Sequence, residues 1–82
     1  MYDEYYNALL MCLTRYKEMA VNDTDLLEFI QEFNDAINAR MPLLKLNRWL
    51  GYIQGVLIER RRTTVEIERN YTRPLFRHLD FN

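Results

Sequence analysis

From Tyr2 to Met19 the residues Tyr2, Tyr5, Tyr6, Leu9, Cys12, Leu13, Tyr16 and Met19 recur at steps of three and four. At 3.6 residues per turn these positions form one apolar stripe, so the spacing predicts a first helix over the whole segment. The run Val21-Asn22-Asp23-Thr24-Asp25 breaks the pattern. Asp23 or Thr24 suits the N-cap of a second helix, because its side-chain oxygen accepts from an unpaired amide of the first turn. Leu26, Leu27, Ile30, Phe33 and Ile37 supply the buried stripe of that helix. Pro42 lacks an amide hydrogen and turns Met41 away from helical angles, which places the end of the second helix near Arg40.

A third helix begins between Leu43 and Asn47. Leu46, Leu50, Ile53 and Leu57 are its core stripe, with Trp49, Tyr52 and Val56 on the adjoining flank. Gly51 and Gly55 lie inside it, each costing about 1 kcal/mol relative to alanine in an exposed helix. Close approach of another backbone is the expected compensation, inside the bundle by default or between two copies otherwise. The run Arg60-Arg61-Arg62 suits the negative end of the third helix dipole. Thr63 and Glu66 match a capping box, and a fourth helix is expected from about Thr64 to Thr72. Pro74 then predicts an extended departure, with Leu75, Phe76, Leu79 and Phe81 packing back on the bundle. The expected fold is all-α, a small bundle of three main helices plus a short fourth helix and a packed C-terminal tail. Leu9, Leu13, Ile30, Phe33, Ile37, Leu50, Ile53 and Leu57 are its expected core.

The 82 residues suit one domain, 1–82, and a hydrophobic content of 49% is too high for disorder. Cys12 is the sole cysteine, which excludes an intramolecular disulfide and a closed cysteine-rich zinc site. The first residues carry acids where a secretory signal needs bases, and Ala8 to Leu13 is too short for a signal core. No stretch approaches the roughly 18–20 apolar residues of a membrane span. A reducing cytoplasm without membrane contact is the expected setting. Charge divides at Pro42: residues 1–41 hold eight acids and three bases, residues 42–82 eight bases and four acids. Opposite faces therefore suit different partners or a second copy of the chain.

Candidate chemistry is sparse. Cys12 and His78 are the sole thiol and imidazole, in different segments and without a nucleophile signature. Acidic pairs such as Asp23/Asp25 and Glu28/Glu32 lack metal-site spacing, and the glycines do not form a phosphate loop. No catalytic residue and no metal or other cofactor is expected, and the chain reads as a non-enzyme.

Two binding readings stand ahead of a third, a small-ligand pocket at a dimer seam lined by tyrosine and arginine. Helix three, the arginine turn and helix four resemble a helix-turn-helix, with Thr64, Arg69 and Arg73 facing a groove and Arg60, Arg61 and Arg62 on phosphates. Glu66 and Glu68 oppose this, as does an isoelectric point near 5.8. Protein binding accounts for more of the sequence, since tyrosine, tryptophan and arginine are the usual anchors of interfaces. Its expected surface is Trp49, Tyr52, Arg60, Arg61, Arg62, Arg69 and Arg73. A second, acidic face of Glu18, Asp23, Asp25, Glu28, Glu32 and Asp35 suits a basic channel as a phosphate surrogate.

Leu46-Asn-Arg-Trp-Leu-Gly-Tyr-Ile-Gln-Gly-Val-Leu and Thr63-Thr-Val-Glu-Ile-Glu-Arg-Asn-Tyr-Thr-Arg-Pro-Leu-Phe resemble segments of small accessory proteins encoded by tailed phages and prophages of enteric bacteria. The resemblance spans residues 46–81 and carries no functional residue with it. It implies a phage protein that inhibits or redirects a bacterial host protein or complex, such as a defence or nucleic-acid-handling system, by direct binding. The alternative is a small DNA-binding regulator, and a homodimer suits either.

Overall fold

The structure, a computed structural model, describes residues 2–77. Four helices follow one another: α1 Tyr2–Met19, α2 Thr24–Asn38, α3 Leu43–Glu59 and α4 Val65–Phe76. No strand occurs among the described residues, so the fold is all-α as the periodicity predicts. α1 packs on α2 and α4, and α2 packs on α3. Among the described residues no helix is long and apolar enough to cross a membrane. All eight expected core residues are buried, joined by Tyr5, Tyr6, Cys12, Tyr16, Leu26 and Leu46.

Each inter-helix turn contains one non-glycine residue in the left-handed region: Asn22 (φ 72°), Arg40 (φ 58°) and Arg61 (φ 59°). Asparagine tolerates this conformation, whereas an arginine pays roughly 1–2 kcal/mol for it. The return is closure of the helix ends. The amides of Arg40 and Met41 donate to Ile37 and Ala36, and those of Arg61 and Arg62 donate to Ile58 and Leu57. Both patterns satisfy carbonyls that the last turn would leave open. At the start of α2, Asp23 is the N-cap and accepts from the Leu26 amide at 3.3 Å.

α4 departs from its sequence reading at both ends. Thr64 is the N-cap, accepting from the Ile67 amide at 3.1 Å, so the expected Thr63–Glu66 capping box does not form. Thr63 is instead buried, and its hydroxyl donates to Glu68. The helix also continues through Pro74 to Phe76 rather than breaking before it. The missing proline amide deprives the Asn70 carbonyl of its helical partner, but both residues are exposed, so solvent reaches the carbonyl. Leu75 and Phe76 pack against the core, with the Phe76 ring 4.9 Å from that of Tyr5. That anchoring outweighs the local preference for an extended chain. Leu79 and Phe81, also expected in the packed tail, lie outside the described residues.

The residue that fixes the first half of α4 is a buried acid. Glu68 is 4% exposed and is the sole buried residue of this helix. Nη1 of Arg15 donates to both its carboxylate oxygens, at 2.7 and 2.9 Å. The Tyr16 hydroxyl donates at 2.7 Å and the Thr63 hydroxyl at 2.5 Å, while Gln54 donates to the Tyr16 oxygen at 2.9 Å. Arg15 also lies over the Tyr71 ring, 4.2 Å from its centroid. Residues of α1, α4 and the last turn thus meet at one carboxylate, with α3 joined to it through Gln54 and Tyr16. Burial pushes the Tyr16 phenol up, with the Glu68 hydrogen bond adding to it, so the hydroxyl remains a donor.

Candidate functional site

The exposed side of α3 has a composition suited to contact. Leu44, Arg48 and Tyr52 follow at four-residue steps, which places them on one ridge of the helix. Leu44 is 69% and Tyr52 59% exposed. Below the ridge, Tyr52 and Trp49 lean on α2: the Phe29 ring is 4.9 Å from Tyr52 and 5.4 Å from Trp49, and Phe33 is 5.6 Å from Trp49. All are tilted pairs, the geometry that aromatic quadrupoles favour. The Trp49 indole N–H is buried with no acceptor among the described residues.

Gly51 and Gly55 border this ridge. Nothing lies within 4 Å of a Cβ added at either position, and both residues are exposed. The expected close approach of another backbone within the bundle is therefore absent. The core of α3 is supplied by Leu46, Leu50, Ile53 and Leu57, and the helical repeat turns the glycines outward. What they leave beside Tyr52 is exposed helix backbone with no side chain over it.

The arginine run works largely inward. Arg60 forms an ion pair with Asp23, and Nη1 of Arg62 donates to the Met19 carbonyl at 2.8 Å. These contacts tie the α3–α4 turn to the α1–α2 turn. Arg40 reaches Asp3 at 3.5 Å and lies 4.4 Å from the Tyr6 ring centroid. Of these two ion pairs, Asp23–Arg60 joins the acid-rich and base-rich halves of the sequence, whereas Asp3–Arg40 lies within the first. Arg61 is exposed at its left-handed position, without an ion pair among the described residues. Arg69 and Arg73 stand elsewhere, on α4, lining a groove with Thr72, Phe76 and Arg77. The acidic set divides similarly. Asp25, Glu28, Glu32 and Asp35 form an exposed stripe along α2 and Glu18 is exposed on α1, but Asp23 is occupied by its cap and Arg60.

Cys12 has no accessible surface, and burial, with the nearby Glu68 charge, pushes its thiol up to about 12. A thiol so placed remains protonated and shielded. We expect no reaction with a thiol-specific disulfide reagent under native conditions and full reaction in denaturant. Rapid native labelling would show that α1 and α4 open readily. His78, the other residue of the candidate pair, lies outside the described residues.

Arg48 on the exposed ridge and Phe29 beneath it are residues that the sequence reading leaves aside. Arg48 stands four before Tyr52, and Phe29 stands four before Phe33, so helical spacing carries both signals. The Glu68 cluster had no such signal, because Arg15 and Glu68 are 53 positions apart.

No family model matches the chain, and neither a curated protein nor a solved structure matches it.

Proposed function

We propose that this chain is a non-catalytic binding protein that engages a partner protein through the outer face of α3. The observation that carries the reading is the exposed ridge Leu44–Arg48–Tyr52 standing beside the uncovered backbone at Gly51 and Gly55. A chain that buries Tyr5, Tyr6 and Tyr16 leaves the Tyr52 ring 59% exposed. Tyrosine, tryptophan and arginine supply most of the energy of typical interfaces, and small residues let an opposing surface approach the helix backbone. The Phe29–Trp49 pair beneath Tyr52 holds its ring in place, which lowers the entropy lost on binding.

This narrows the surface expected from sequence. Trp49 and Tyr52 belong to it, with Arg48. Arg60 and Arg62 support the turns, and Arg69 and Arg73 belong to a different helix. The resemblance of residues 46–81 to phage and prophage accessory proteins supports a bacterial host protein or complex as the partner, inhibited or redirected by occupation of its surface. A cytoplasmic setting fits that partner.

Affinity capture with tagged protein from an enteric bacterial lysate, with and without nuclease, tests the reading. A stoichiometric protein partner that survives nuclease is the expected result. Tyr52→Ala is expected to weaken its binding about 30-fold, the equivalent of about 2 kcal/mol, with helicity unchanged. Equal affinity of the variant and the parent would remove α3 as the working face.

A further inference from the structure

α4 presents a second surface, distinct in chemistry from the ridge of α3. Arg69, Thr72, Arg73, Phe76 and Arg77 line one groove of about 390 Å³. The three arginines follow at four-residue steps, so their guanidinium groups form a row that advances about 6 Å per step.

We propose that this row clamps the phosphate backbone of nucleic acid without reading its sequence. Four other arginines of the chain are already engaged: Arg15 by Glu68, Arg40 by Asp3, Arg60 by Asp23 and Arg62 by the Met19 carbonyl. Among the described residues, Arg69, Arg73 and Arg77 have no ion pair and no acid lines their groove. Glu68, adjacent to Arg69 in sequence, is turned into the bundle and held by Arg15, so its charge does not reach the groove. Glu66 lies one turn earlier, outside the lining.

Like charges at four-residue spacing repel and weaken an isolated helix. The helix dipole favours cations in the last turn, which covers Arg73 and Arg77 but not Arg69, the fifth of the twelve residues. An anion shared by all three relieves the repulsion. Each guanidinium fork fits a phosphate in two-point fashion, while the Thr72 hydroxyl between them donates to the Glu68 carbonyl at 2.9 Å. A row of evenly spaced cations suits a polymer whose anions repeat at fixed spacing better than a peptide whose acids do not. Phosphate contacts position a protein without specifying sequence, so the groove needs no base-reading side chain. The acidic stripe of α2 repels the same ligand, which confines contact to α4.

Fluorescence anisotropy with a labelled random-sequence duplex tests this independently of α3. Three phosphate contacts give a slope of about −2.7 in log affinity against log salt, so affinity should fall about 40-fold between about 50 and 200 mM salt. The combined variant R69Q/R73Q/R77Q should lose binding with helicity retained, while R48Q/R61Q should keep it. Absence of binding at about 50 mM salt, retention of binding by the triple variant, or tighter binding of poly-glutamate than of duplex would each overturn the proposal.

Discussion

Replacing Glu68 with alanine is expected to destabilise the fold by about 3–5 kcal/mol, because removing one member of a buried ion pair leaves the other charge uncompensated. Here the loss extends beyond Arg15. The hydroxyls of Tyr16 and Thr63 also donate to this carboxylate, so both lose their acceptor. A domain of this length has roughly 4–12 kcal/mol in total, so the substitution removes a large part of it. Urea denaturation followed by circular dichroism reads the change. A loss under about 1 kcal/mol, the value of an exposed pair, would show that solvent reaches the cluster.

The same carboxylate gives stability a pH dependence. Burial by itself raises the Glu68 value, but hydrogen bonds from Arg15, Thr63 and Tyr16, with the Arg15 charge, outweigh it and hold the group below its ordinary range. The folded chain therefore binds this proton less tightly than the unfolded chain. The stabilisation is complete above the unfolded value near ~4.3 and is lost as pH falls through the lower folded value. The melting temperature of the parent should drop more steeply on acidification than that of Glu68→Gln. Parallel profiles would mean that Glu68 titrates alike in both states.

The second large effect is expected at Phe33. This side chain is fully buried, and its ring lies against Trp49. Phe33→Ala should cost about 3–5 kcal/mol through lost burial and the cavity left between α2 and α3. The denaturation midpoint should fall with an unchanged slope, since the surface exposed on unfolding is nearly the same. The cavity also removes the support of Trp49. At temperatures where Phe33→Ala remains folded, binding through the Tyr52 ridge should weaken although Phe33 is buried. Full affinity in the folded variant would show that the ridge is held by Phe29 without help from Phe33.

The charge pattern shows how a correct observation in one dimension changes meaning in three. The surplus of acids before Pro42 and of bases after it suggests two external faces. In the fold Asp23 meets Arg60 across that division, Asp3 meets Arg40 within the first half, and Arg15 meets Glu68, each the minority charge of its half. What remains outward is narrower: an acidic stripe on α2, an arginine row on α4 and a ridge on α3 with a single arginine. Glu68 weighed against nucleic acid when read as a surface charge, and its burial removes that objection from the α4 groove.

The spacing of apolar side chains, with local capping and proline signals, determined by itself that α1 spans Tyr2–Met19, that Asp23 or Thr24 opens α2, that Pro42 precedes α3 and that the eight expected core residues are buried. It could do so because helix periodicity and capping are local, set by residues within a turn or two of one another. The passage of α4 through Pro74, the outward turn of Gly51 and Gly55, and the meeting of Arg15, Tyr16, Thr63 and Glu68 were decided by tertiary structure alone. Each depends on which helices become neighbours, and the energy of burying Phe76 against Tyr5 or pairing Arg15 with Glu68 exists only once distant segments are in contact.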